Sequence, residues 1–185
     1  MRVIGGTARG RRLEAVPGRA TRPTSDRVRE TLFNILGPRV VEARVLDLFA
    51  GTGALAIEAL SRGAAHAVLV EAARRAAEVA RRNLERCGFQ DRAELLIQRD
   101  RQALPWLARR GDRFDLVFLD PPYQRGLGQA ALETLARLGL VPPGGLVVWE
   151  RARGEEEPQP IPNLSLHRRH PIGSSELCFF LGEEG

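Results

Sequence analysis

The chain has 185 residues, of which 43% are hydrophobic and 28% charged, enough for one α/β domain with a sizeable core plus a modest extension. No apolar run reaches membrane-spanning length, Met1-Arg2 leads directly into a strand-like segment rather than a signal peptide, and Cys87 and Cys178 lack ligand spacing, so a cytoplasmic protein without a metal is expected. The basic residues are all Arg and unevenly placed: residues 1–44 hold ten against four acids and the remainder 18 against 19, so the net charge of +5 arises in the N-terminal quarter and points to a polyanionic partner.

In chain order, Arg2 to Ile4 and Arg12 to Val16 read as short strands around the glycine-containing turn 5–10, a small hairpin carrying Arg9, Arg11 and Arg12. After loop 17–23, which includes Arg22, Thr24 or Ser25 can cap a helix with Asp26 in its first turn. Its apolar stripe is Val28, Leu32, Ile35 and Leu36; Arg27 and Arg29 are expected on the other side, and the helix stops before Pro38. Residues 1–43 thus form a basic extension, and 44–185 the main domain.

From Arg44 the pattern alternates strand and helix, as a mostly parallel Rossmann-like sheet requires. Strands are expected at 45–49, 67–71, 93–98, 114–119 and 145–150. Helices are expected from Ala54 to Arg62, from Ala73 to a stop at Gly88, from Arg101 to Arg110 with a bend or start at Pro105, and through Leu127 to Leu138. The acidic stretch Gly154 to Pro162 reads as a surface loop, and 164–170 with 176–181 as a C-terminal antiparallel hairpin. His66, His167 and His170 have no partner spacing and are taken as structural or surface residues.

The first strand runs through Asp47 into Phe49, Gly51 and Gly53, a turn that lets backbone approach a ligand before a helix opens. Gly51, Gly53 and Ala56 also fit a dinucleotide fingerprint, with Glu71 20 residues after Gly51. A carboxylate at Asp47, however, repels pyrophosphate and attracts an ammonium, such as the amino-acid end of S-adenosylmethionine (SAM). Asp47, Glu71, Asp100 and Asp120 follow the first four strands and should line one sheet edge. Asp47 would oppose the ammonium, Glu71 accept both ribose hydroxyls, and Asp100 accept from the adenine amine.

Asp120-Pro121-Pro122-Tyr123 is different, because two prolines fix an extended backbone without N–H donors. The Asp120 carboxylate and Pro121 carbonyl can together accept both hydrogens of an exocyclic amine, while Tyr123 offers the base a flat face. Methyl transfer to such an amine needs alignment rather than a metal.

These four acids and their neighbours resemble the motifs of class I SAM-dependent methyltransferases. Residues 48–55 and 58–64, with Ile4-Gly5-Gly6, Arg22-Pro23-Thr24 and residues 26–34, look like the bacterial RsmD family. The resemblance covers nearly the whole chain and is weakest over 151–175. It implies N2-methylation of one guanine in 16S rRNA, at the position labelled 966, during or after assembly of the 30S subunit. The base would be splayed from a loop into the pocket. The residues by themselves leave a DNA adenine or protein glutamine amino-methyltransferase, a non-catalytic RNA-binding protein on the same scaffold, and a nicotinamide-dependent enzyme as alternatives. A monomer is expected. Arg9, Arg11, Arg12, Arg22 and Arg27 are the RNA-binding candidates, which gives leader and core separate jobs.

Overall fold

A computed structural model describes residues 1–18, 25–122 and 126–185. Its elements are α1 (Asp26–Leu36), β1 (Arg44–Leu48), α2 (Ala54–Ser61), β2 (His66–Val70), α3 (Arg74–Cys87), β3 (Ala93–Leu96), α4 (Asp100–Arg110), β4 (Leu116–Leu119), α5 (Leu127–Arg137), β5 (Leu146–Ala152), β6 (Leu164–Ile172) and β7 (Ser175–Gly182). One seven-stranded sheet runs in the order β3-β2-β1-β4-β5-β7-β6. Strands β1 to β5 are parallel, and β7 inserts antiparallel between β5 and β6. The expected fold class is therefore the observed one, C-terminal hairpin included.

The central parallel strands β1, β2, β4 and β5 are covered on both faces, which is why they read as largely apolar runs rather than alternating ones, whereas the edge strand β3 is half-buried throughout. Val45, Ala67 and Phe118 pack towards α1, α2 and α3, whereas Leu46, Val68 and Val117 pack towards α4 and α5. Val3, Leu13, Leu32 and Phe33 share the first cluster, so the extension is packed into the same core as the sheet. Helix ends follow their local chemistry. The Ser25 hydroxyl accepts from the N–H of Val28 at the start of α1, and Gly88 closes α3 in the left-handed conformation at φ 74°. The outermost strand β6 carries a bulge between Leu166 and Arg168, and no helix among the described residues is long and apolar enough to cross a membrane.

One local expectation is met in shortened form and two are corrected. The leader hairpin forms but is short: its arms pair around an Arg2–Arg12 bridge, with the N–H groups of Val3 and Leu13 donating to the carbonyls of Arg11 and Met1 at 3.0 Å, and the ladder ends there because Ile4, Gly5 and Glu14 bond to side chains of the helices beneath. Arg29 does not project into solvent. It is wholly buried, its charge met by Asp26 and Glu58. Pro105 neither starts nor ends α4, since the only bond it forgoes is to the carbonyl of Arg101 in the first turn.

A candidate active site along the carboxyl edge of the sheet

Phe49, Gly51 and Gly53 carry the chain from β1 to α2 through three left-handed conformations, at φ 67°, 57° and 79°. A side chain at Gly53 would press on Leu69 at 3.1 Å and Ala80 at 3.4 Å, so that glycine lets the turn lie flat on β2 and α3. At Gly51 a Cβ would meet no protein atom within 4 Å. Its side of the turn is open, as backbone approached by a ligand must be.

Two carboxylates hold this turn. Glu71 follows β2 directly; one of its oxygens accepts from the N–H of Gly51 at 2.8 Å and the other from Ala73 at 2.9 Å, where α3 begins. Asp47 lies within β1, one residue short of the strand end and buried, and accepts from the N–H of Ala56 in the first turn of α2 at 3.1 Å. Burial pushes its carboxyl up to about 7; the Ala56 hydrogen bond opposes this and the neighbouring Glu71 charge adds to it. A cation arriving beside Asp47 would restore the ionised form, which suits the residue to an ammonium better than to a phosphate.

Asp100 opens α4 and is half-buried, and Asp120 follows the last residue of β4, also half-buried and engaged within the fold. Because β1, β2, β3 and β4 are parallel neighbours, all four acids do lie along one edge. Pro121 is buried and Pro122 exposed. Tyr123, like Arg22, lies outside the described residues.

Beside the proline pair opens a cavity of about 480 Å³, walled by Pro121, Trp149 and Glu150, the start of α5 and the loop residues Glu155 to Gln159. Its size is that of small-molecule sites. Helix α5 approaches Trp149 only because residue 128 is glycine; a Cβ there would stand 2.2 Å from the indole. The acidic stretch is a mostly exposed surface loop, as expected, and its residues Glu155 to Gln159 also wall this cavity beside the proline pair. The signal that could have marked it is the run Trp149-Glu150 at a strand end followed by Glu155 to Glu157.

On the leader, Arg9, Arg11, Arg12 and Arg27 are exposed. Arg11 donates to the carbonyl of Arg86 at the end of α3, and Glu14 pairs with Arg82 and Arg86. The leader's basic surface therefore continues onto α3, which adds exposed Arg74, Arg75 and Arg81. Counting charge by chain segment hides this, because the α3 arginines are offset in sequence by acids elsewhere. No cluster of potential metal ligands is found among the described residues.

The profile of the family described as conserved hypothetical protein 95 matches residues 1–181. A protein of Escherichia coli K12 named ribosomal RNA small subunit methyltransferase D is 39% identical over 173 residues, covering 94% of this chain and 85% of the relative. The solved structure of the Escherichia coli protein yhhF superposes with a TM-score of 0.87 at 38% identity, over 99% of this chain and 98% of its own. A more distant structure, the methyltransferase SMU.776 complexed with SAH, covers 84% of this chain and 48% of its own with a TM-score of 0.64. At 16% identity it shows likeness of fold alone.

Proposed function

The chain belongs to the family described as conserved hypothetical protein 95, the RsmD family of rRNA methyltransferases, and we propose that it transfers a methyl group from SAM to the exocyclic N2 amine of a guanine in small-subunit rRNA, during or after 30S assembly. The observation that carries the reading is the pairing of the Gly51 turn, braced by Glu71 and Asp47, with Asp120-Pro121 beside a cavity roomy enough for a nucleotide base. Both lie on the sheet edge where α/β folds bind ligands.

In this reading Asp47 opposes the ammonium of SAM, Glu71 takes its ribose hydroxyls, and Asp100 its adenine amine; Phe49, Gly51 and Gly53 supply the close backbone. Bound SAM contributes an electrophilic methyl group. The protein does the rest by placement. Asp120 and the Pro121 carbonyl accept the two amine hydrogens, so the nitrogen lone pair is held towards the donor and the positive charge that develops on nitrogen is stabilised. Tyr123 stacks on the base. Leader residues Arg9, Arg11, Arg12, Arg22 and Arg27, with the α3 arginines beside them, hold phosphates.

The test is single-turnover transfer from labelled SAM to small subunits, free rRNA, DNA and protein. Transfer to rRNA or subunits alone separates this reading from its rivals. Asp120→Ala is expected to slow transfer on the order of a hundredfold while leaving SAM affinity unchanged. An unaltered rate removes Asp120 from the mechanism.

A further inference from the structure

Asn83 sits on α3 among the apolar residues that pack on the sheet, wholly buried. Its carboxamide oxygen accepts from the N–H of Glu14 at 2.8 Å. Its amide nitrogen donates both hydrogens, to the carbonyl of Glu14 at 3.1 Å and to the carbonyl of Thr52 at 3.0 Å. The orientation is forced, since a flipped amide would oppose oxygen to two carbonyls and NH2 to an N–H. One side chain therefore bridges the basic leader and the turn between Gly51 and Gly53.

What it holds at the turn is specific. The Thr52–Gly53 peptide is fixed from both ends, by Asn83 on the Thr52 oxygen and by the Ala50 carbonyl on the Gly53 N–H at 2.9 Å. That peptide follows Gly51, whose N–H Glu71 holds at 2.8 Å, in the same turn. On the leader side, Glu14 is clamped around the same amide by Arg82 and Arg86, and Val16 packs on Ala76 and Val79. The leader is further tied to α2, where Glu58 accepts from the N–H groups of Ile4 and Gly5 at 2.9 Å each.

Leader and core, assigned different ligands above, are thus wired together through this one side chain. We propose that Asn83 is a positioning residue that makes the leader part of the cofactor site, so that SAM bound at the turn and RNA bound on the leader strengthen each other. The inference rests on the functional reading above. Its physical basis is shared ordering: the ligand that arrives first fixes the carboxamide and both its partners, and the second need not fix them again.

The measurement is the affinity for S-adenosylhomocysteine, by calorimetry, with and without saturating undermethylated small subunits. For the wild type the subunits are expected to tighten it by about fivefold or more. Asn83→Asp keeps an acceptor for Glu14 but removes both donated bonds; it should bring that factor below about twofold, with the salt dependence of subunit binding unchanged. Equal tightening in both proteins overturns the proposal. A second readout uses only the wild type: S-adenosylhomocysteine alone should slow hydrogen exchange at the Glu14 amide, and an unaffected amide also overturns the proposal. If the wild type fails to bind S-adenosylhomocysteine or subunits, the functional reading itself has failed. If it binds both independently, only this coupling has.

Discussion

Where the leader meets the sheet, Arg29 is buried between Asp26 at 2.5 Å, Glu58 at 3.3 Å and the carbonyl of Arg2 at 2.7 Å; where the loop after β5 folds back, Arg151 is equally buried, yet its carboxylate neighbours Glu155 and Glu176 stand 3.8 and 3.9 Å away. Arg29 leaves one nitrogen without a partner. Arg151 leaves two, and leans on the carbonyl of Glu156 and the face of Trp149. The first junction is a closed network whose parts need one another. The second, beside the cavity, is tied mainly through a backbone carbonyl, with its carboxylates at longer range. Buried charge is thus met at close range where the leader joins the sheet and at longer range beside the cavity.

Thermal or urea unfolding of Arg29→Met would break this contrast most forcefully. It leaves the Arg2 carbonyl unpaired and takes one partner from the buried Glu58, which keeps Arg62 and the N–H groups of Ile4 and Gly5, so a loss of about 2 to 3 kcal/mol is expected, and a near-neutral result would mean that the leader is not locked. Asp47 lies between the extremes, buried with a single backbone donor. Its carboxyl is raised from 3.8 to about 7, so the folded chain holds the proton more tightly than the unfolded chain. Stability should therefore fall by a few kcal/mol as pH rises from about 4 to about 7. Asp47→Asn should flatten that fall, and parallel stability–pH curves for the two proteins would refute the assignment. Arg151→Met is the smallest effect, expected within about 1 kcal/mol of wild type, because Glu155 and Glu176 are part-exposed and can be hydrated once the guanidinium is gone. A loss as large as that of Arg29→Met would erase the distinction.

Much of the frame was legible because it is periodic. The β/α alternation, the stop at Gly88, the glycine turn and the acids at four strand ends follow from local pattern and placed one edge of the sheet correctly. What escaped were polar groups inside apolar surfaces. Asn83 lies three residues after Ala80 on the face that packs inward, and Glu58 lies in a helix whose every residue is buried. Each was a polar residue where the period asked for an apolar one, which is a readable sign of a buried network, but the leader partners Gly5 and Glu14 lie 53 and 69 residues away in sequence. Arg29 escaped for the same reason, since an arginine beside an apolar stripe reads as solvent-facing until Glu58 is placed opposite. The cavity wall at Glu155 to Gln159 has no period at all, and Tyr123 and Arg22, on which the reading also leans, lie outside the described residues.

An open sheet has two sides at which a stranger's backbone could continue it, and here both are poor templates. At one side β3 offers only four residues. At the other β6 is long, but the bulge after Leu166 interrupts its ladder, and exposed His167, Arg168, Arg169 and Pro171 set charge, bulk and a missing N–H along it. Such features make accretion of further strands costly. For a protein with an apolar core this continuous, they are a guard on colloidal behaviour at high concentration. Replacing His167, Arg168 and Arg169 with Thr or Val would remove the guard while leaving the fold's interior untouched.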